Sequence, residues 1–174
     1  MKDIYVFLGH DFFGDTQRKA DYRAAVNAAV SAADAWAMQW QYDVRFHIVY
    51  GDTRLNAPFM RPLLARIRAS NRFSLGGDYW DQISAVIYAC AHALFDLTHR
   101  DYTVSYPNAN VVLEYGVAFG VGKKPRAFGR TRDIAKLYLS NTAKYNFPYY
   151  DPYDMNSLTD VIVDLLTDFL ATQP

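Results

Sequence analysis

The sequence predicts a doubly wound α/β fold: a mostly parallel, five-stranded sheet with helices on both faces. Three observations carry this. Short apolar runs rich in β-branched and aromatic residues recur along the chain, as buried parallel strands do. Stretches with helical apolar spacing alternate with them. The 174 residues, 51% hydrophobic and 21% charged, suffice for one domain with a proper core (1–174) and are few for two.

The elements follow in order. Ile4 to Leu8 is an all-apolar strand ending in Gly9-His10-Asp11-Phe12-Phe13-Gly14, where a glycine lets backbone approach a ligand closely. Neither a dinucleotide fingerprint nor a phosphate loop is present. Asp15 or Thr16 caps an alanine-rich helix whose stripe runs from Tyr22 through Val26 and Ala33 to Trp36 and Trp40. Val44 to Tyr50 is a second strand, and Arg45 and His47 are expected to leave one side or one edge of it wet. Pro58 to Ala69 reads as a helix whose Arg61, Arg66 and Arg68 are expected to form a solvated face, with phosphate binding the alternative. Asp81 is expected to cap the next helix, which buries Ile83, Val86, Ile87 and either Cys90 or Ala91. Ala93 to Thr98 is a strand reaching Asp96, and a polar loop over 99–107 leads to a helix from Pro107 to Lys124. Gly116 and Gly120 in that helix are expected to permit tight packing on the sheet. Arg126 to Gly129 is a brief strand, Thr131 to Ser140 a helix or an irregular cover, and Asn146 to Tyr150 a last strand. Ser157 is expected to cap a final helix carrying Leu158, Ile162, Leu165, Leu166 and Phe169. Five strands joined by right-handed crossovers most naturally take a flavodoxin-like order, with ligands at the carboxyl ends of the strands near the switch point.

Composition narrows the partners. Eighteen basic and eighteen acidic residues leave no net charge, which argues against a general nucleic-acid binder. The single cysteine, Cys90, precludes an internal disulfide or a cysteine-based zinc site, and no histidine pair is spaced for a metal, so no metal is expected. No segment is long and apolar enough to span a bilayer, and the N-terminal apolar run is too short for a signal peptide. The expected location is the cytoplasm, with no membrane partner. Fourteen tyrosines can line a pocket that stacks on flat rings.

The chemistry centres on one side chain. Between Ala109 and Gly122 every residue is apolar, glycine or Asn110, except Glu114. Burying a lone carboxylate is costly. Asp96 ends the preceding strand, and both acids are expected to open onto one cleft, with Asp52 on its far side. A helix N-terminus favours the ionised form while an apolar wall opposes it. An ionised carboxylate in a dry pocket can attack or support an oxocarbenium-like sugar carbon. A second acid can hold a sugar hydroxyl or protonate a leaving base. Gly9, His10, Phe12, Phe13, Asp52, Asn108 and Asn110 are the expected substrate contacts, and Tyr79, Tyr102 and Tyr106 the expected stacking partners. On spacing alone, capping roles for Asp96 and Asn108 and a structural ion pair for Glu114 remain equally open.

The run D-L-T (Asp96 to Thr98), followed by N-A-N-V-V-L-E-Y-G-V-A-F-G-V-G-K-K-P (Asn108 to Pro125), resembles a signature shared by nucleoside 2-deoxyribosyltransferases and the TIR-like nucleotide-binding proteins of bacterial defence systems. Gly9 after the first strand, I-x-x-V-I from Ile83, and D-P-Y-D from Asp151 before an amphipathic helix fit the same plan. The H-R-D-Y-T-V-S-Y-P insert (99–107) and the G-H-D-F-F loop depart from it. The resemblance implies a glutamate nucleophile at Glu114, a strand-end acid at Asp96 and a sugar-shaping turn at Asn108 and Asn110. The implied activity is hydrolysis or transfer at an N-glycosidic bond, with NAD or a deoxynucleoside as substrate and no cofactor required. The N-A-N-V turn and D-L-T strand end favour the TIR-like side and NAD. Base exchange on deoxynucleosides is the alternative, and a non-catalytic nucleotide sensor or interaction module is a third. Homo-oligomer formation is implied by the TIR-like side.

Overall fold

The structure is a computed structural model, and it describes residues 1–73, 76–104, 106–130 and 148–171. Among these, four strands form one all-parallel sheet: β1 (Lys2–Gly9), β2 (Val44–Tyr50), β3 (His92–Asp96) and β4 (Arg126–Phe128), in the order β2-β1-β3-β4. The expected fifth strand is thus corrected. Tyr149 forms an isolated parallel bridge to Gly129 beside β4, and 146–147 lie outside the described residues, as does the helix or cover expected over 131–140.

β1 lies at the centre, with Tyr5 opposite His47 on β2 and Gly9 opposite Phe95 on β3. Its alternation divides the core. Ile4, Val6 and Leu8 face α1 (Thr16–Gln39) and α5 (Met155–Ala171), while Tyr5 and Phe7 face α2 (Arg61–Ser70), α3 (Tyr79–Ala89) and α4 (Ala109–Gly120). Helices therefore cover both faces, and period-two alternation sends one strand's side chains into both cores. The alanines of α1 (Ala25, Ala29, Ala33, Ala37) are buried and let that helix approach closely.

Local chemistry sets the ends. Asp15 is the cap of α1, accepting from the Gln17 and Arg18 N–H groups at 2.8 and 3.3 Å. Asp78, not Asp81, caps α3. Ser157 lies inside the first turn of α5, and Asp154 accepts from Asn156 N–H at 3.0 Å instead. Gly122 follows α4 with φ +81°, the left-handed stop that favours glycine. Gly116 and Gly120 are exposed, with nothing near the space a Cβ would fill, so they do not serve sheet packing. His47 pairs with Asp3 at 2.8 Å on the edge strand. Among the described residues no helix is long and apolar enough to cross a membrane.

Candidate functional site

The chain leaves β1, builds β2 on one side, then crosses to β3 on the other. The connections therefore diverge at the carboxyl ends of β1 and β3, where open parallel sheets bind ligands. Glu114 comes to this point from the second turn of α4. Its carboxylate rests over Gly9: a Cβ there would lie 2.9 Å from Glu114 Oε2 and 2.5 Å from a ring carbon of Phe95. Only glycine lets the acid lie against the strand. On the other side Oε1 accepts from the Tyr79 hydroxyl at 3.4 Å and lies 3.7 Å from where a Gly51 Cβ would stand.

Glu114 is 6% exposed. Among the described residues no lysine, arginine or histidine lies within ion-pair reach of it. Burial pushes its carboxyl up to about 7, against a lowering by the Tyr79 hydrogen bond. The magnitudes explain which influence wins. A helix N-terminus offers at most about 1 kcal/mol and fades after the first turn, where Glu114 no longer stands. The paired structural acid is therefore not what the geometry shows; this carboxylate is desolvated and unpaired.

Around it, His10, Asp11, Phe12, Gly51, Asp52, Asn108, Asn110 and Val111 line a narrow cleft. The His10 ring contacts Asp11 O through Nδ1 at 2.6 Å; because a carbonyl only accepts, Nδ1 carries the proton. Burial lowers the pKa of His10, so the ring is neutral with Nε2 an acceptor. Asp52 accepts from Lys19 Nζ at 2.8 Å and Arg23 at 2.6 Å. Burial raises its carboxyl, but the Lys19 hydrogen bond and the two cations prevail and hold it low. Asn108 caps α4 by accepting from Asn110 N–H at 2.8 Å, and its amide donates to Asp11 Oδ1 at 2.9 Å. The Asn110 side chain is exposed at the cleft mouth.

Asp96 does not join this cleft. It lies on the α1–α5 face of the sheet, 2% exposed. Its Oδ1 accepts from Thr98 N–H at 2.9 Å and its Oδ2 from the Tyr150 hydroxyl at 2.8 Å. Burial raises its carboxyl to about 6, against these hydrogen bonds. The reason is the strand alternation: Phe95 points toward Glu114, so the next residue points away. Phe13 also leaves the cleft and packs with Tyr22 at a centroid distance of 5.1 Å. Of the aromatic candidates, Tyr79 reaches Glu114 by a hydrogen bond, whereas Tyr102 and Tyr106 do not line the cleft.

Asp11 was not legible as a site residue. It is 4% exposed, and besides Asn108 it accepts from Arg100 N–H at 2.9 Å. Its place two residues past the first strand was the available signal; its partners stand 89 and 97 positions away. A cavity of about 880 Å³ lies elsewhere, between α4, β4 and α5. Its Asp168 is tied to Arg126, and among the described residues no buried acid lines it. Cys90 is buried, and burial pushes its thiol up to about 12, the state of core filler. Among the described residues no cluster of metal-ligating side chains occurs. A scan against protein-family models and a search of curated proteins both returned no match.

Proposed function

We propose that this flavodoxin-like chain hydrolyses or transfers at the N-glycosidic bond of a nucleotide such as NAD, with Glu114 as the nucleophile. The observation that carries the reading is the buried, unpaired Glu114 carboxylate held over Gly9 at the switch point. An acid in a cleft that desolvation perturbs and no cation partners is a site candidate. With its pKa near 7, Glu114 is substantially ionised at neutral pH yet poorly solvated. Ionised, it can bond to the anomeric carbon as the base departs with the glycosidic electron pair; water then cleaves the glycosyl ester. Tyr79 donates to the carboxylate and fixes its orientation. The exposed Asn110 amide lines the cleft and is assigned to a ribose hydroxyl.

The rest of the cleft favours a base that leaves without a proton. Asp11 accepts on both oxygens, Asp52 is paired with two cations, and His10 is neutral with its ring proton committed. Among the described residues no second free acid faces Glu114. An N-ribosylpyridinium such as NAD releases nicotinamide as a neutral molecule and needs none. A purine or pyrimidine deoxynucleoside requires a proton donor. Asp96 supports the site from behind, as the corner that ends β3.

Incubation of the protein with NAD and, separately, with deoxynucleosides, followed by chromatography for free base, tests this. Glu114→Gln is expected to lower base release by about 10³-fold or more. Adding a second base tests for transfer. Equal activity in wild type and E114Q, or nucleotide binding with no turnover by either, would remove the enzymatic reading.

A further inference from the structure

The cleft at Glu114 leaves only about 10 Å³ free, room for a reacting atom or one water. Sites for nucleotide-sized ligands span several hundred Å³. A space of that order is built on the same loop. Across the loop of residues 10–13, a cavity of about 390 Å³ is walled by Phe13, Tyr102 and Tyr153 and edged by Arg18 and Arg100. Phe12 lines the cleft and Phe13 the cavity, so neighbouring residues of one loop face the two spaces. Arg100 donates its N–H to Asp11, pinning the cavity edge to the cleft wall.

The two guanidinium groups have no carboxylate partner among the described residues. Arg18 lies over the Tyr102 ring at 4.9 Å. Asp15 and Asp101 also line the cavity, but each holds its own turn: Asp15 caps α1, and Asp101 Oδ1 accepts from Thr103 N–H and Oγ1–H at 2.9 and 2.7 Å. The capped α1 terminus offers no free N–H at Gln17 or Arg18, so positive charge for a ligand comes from the arginines. Planar guanidinium forks pair bidentately with phosphate oxygens, and the aromatic walls suit ribose or base.

We propose that this cavity binds the phosphate of a nucleotide whose glycosidic carbon lies at Glu114, so that the preferred substrate is a phosphorylated nucleotide and not a free nucleoside. This rests on the N-glycosidic reading above. Calorimetric titration of the full chain in physiological salt with inorganic pyrophosphate, AMP and adenosine tests it. Wild type is expected to bind pyrophosphate, and to bind AMP more tightly than adenosine. Arg18→Gln and Arg100→Gln should each weaken pyrophosphate binding about tenfold, leave adenosine binding unchanged and keep the melting temperature, since both side chains are exposed. Absence of pyrophosphate binding in wild type, or equal binding by both variants, would overturn it. The titration needs no turnover: it reads the cavity alone, while base release by wild type and E114Q reads Glu114 alone.

Discussion

Gly9 shows how much of the site depends on one missing side chain. An alanine there would press its Cβ into the Phe95 ring and against Glu114 Oε2, at 2.5 and 2.9 Å. Phe95 is fully buried and has nowhere to go, so Glu114 is the group that yields. Gly9→Ala is expected to destabilise the fold by about 1–3 kcal/mol, the usual range for overpacking. It should also lower base release by displacing the carboxylate, with the loss exceeding what the unfolded fraction accounts for. Chemical denaturation with activity measured at full occupancy of the folded state separates the two. Unchanged activity per folded molecule would mean that the position of Glu114 over β1 is incidental.

At the scale of elements, the β3–α4 connection is a brace. Asp96 accepts from Thr98 N–H and the Tyr150 hydroxyl, and Thr98 Oγ1 accepts from Arg130 N–H at 3.0 Å, joining the end of β3 to the chain beyond β4. Asp96→Ala leaves a buried N–H and a buried hydroxyl without their acceptor. It should cost about 2–4 kcal/mol, one to two for each orphaned group, measurable by urea unfolding. Asp96→Asn keeps an acceptor for Thr98, and it should lose less stability and keep base release within a few fold. A loss matching that of E114Q would instead make Asp96 a direct participant.

The sequence carried the apolar runs that become β1 and β3, and the helical spacing of α1 and α5, because burial imposes period two or 3.6 directly on residue choice. It also carried Glu114, since a charge in an apolar stretch breaks that pattern. It did not carry which face Asp96 takes. That depends on strand register, and a one-residue offset reverses the direction. Nor did it carry Asp11, whose hydrogen bonds exist only once loops 10–13 and 99–108 meet.

For the molecule as a whole, the buried ionisable groups pull stability in opposite directions with pH. Glu114 rises from 4.5 to about 7 and Asp96 from 3.8 to about 6, in both cases chiefly through burial. The folded state therefore holds protons that the unfolded chain has released, and stability falls as pH rises from about 4 to 7. His10 and His92 are lowered by burial, His92 to about 4. The unfolded chain takes up protons there first, so stability is lost as pH falls below the ordinary histidine range. The overall curve mixes these, but a difference between two proteins isolates Glu114. Protonated glutamate and glutamine are close in shape and polarity, so wild type and E114Q should melt together near pH 4. As pH rises through 4.5 to 7, wild type alone acquires a desolvated charge, and E114Q should become the more stable by about 2–4 kcal/mol above pH 7.5. For a chain of this size that corresponds to a rise in Tm of roughly 5–15 °C. The excess stability of E114Q would be the thermodynamic mark of an acid retained for chemistry. Melting curves that stay parallel across pH 4–8 would show that solvent reaches Glu114 freely, and the nucleophile assignment would lose its physical basis.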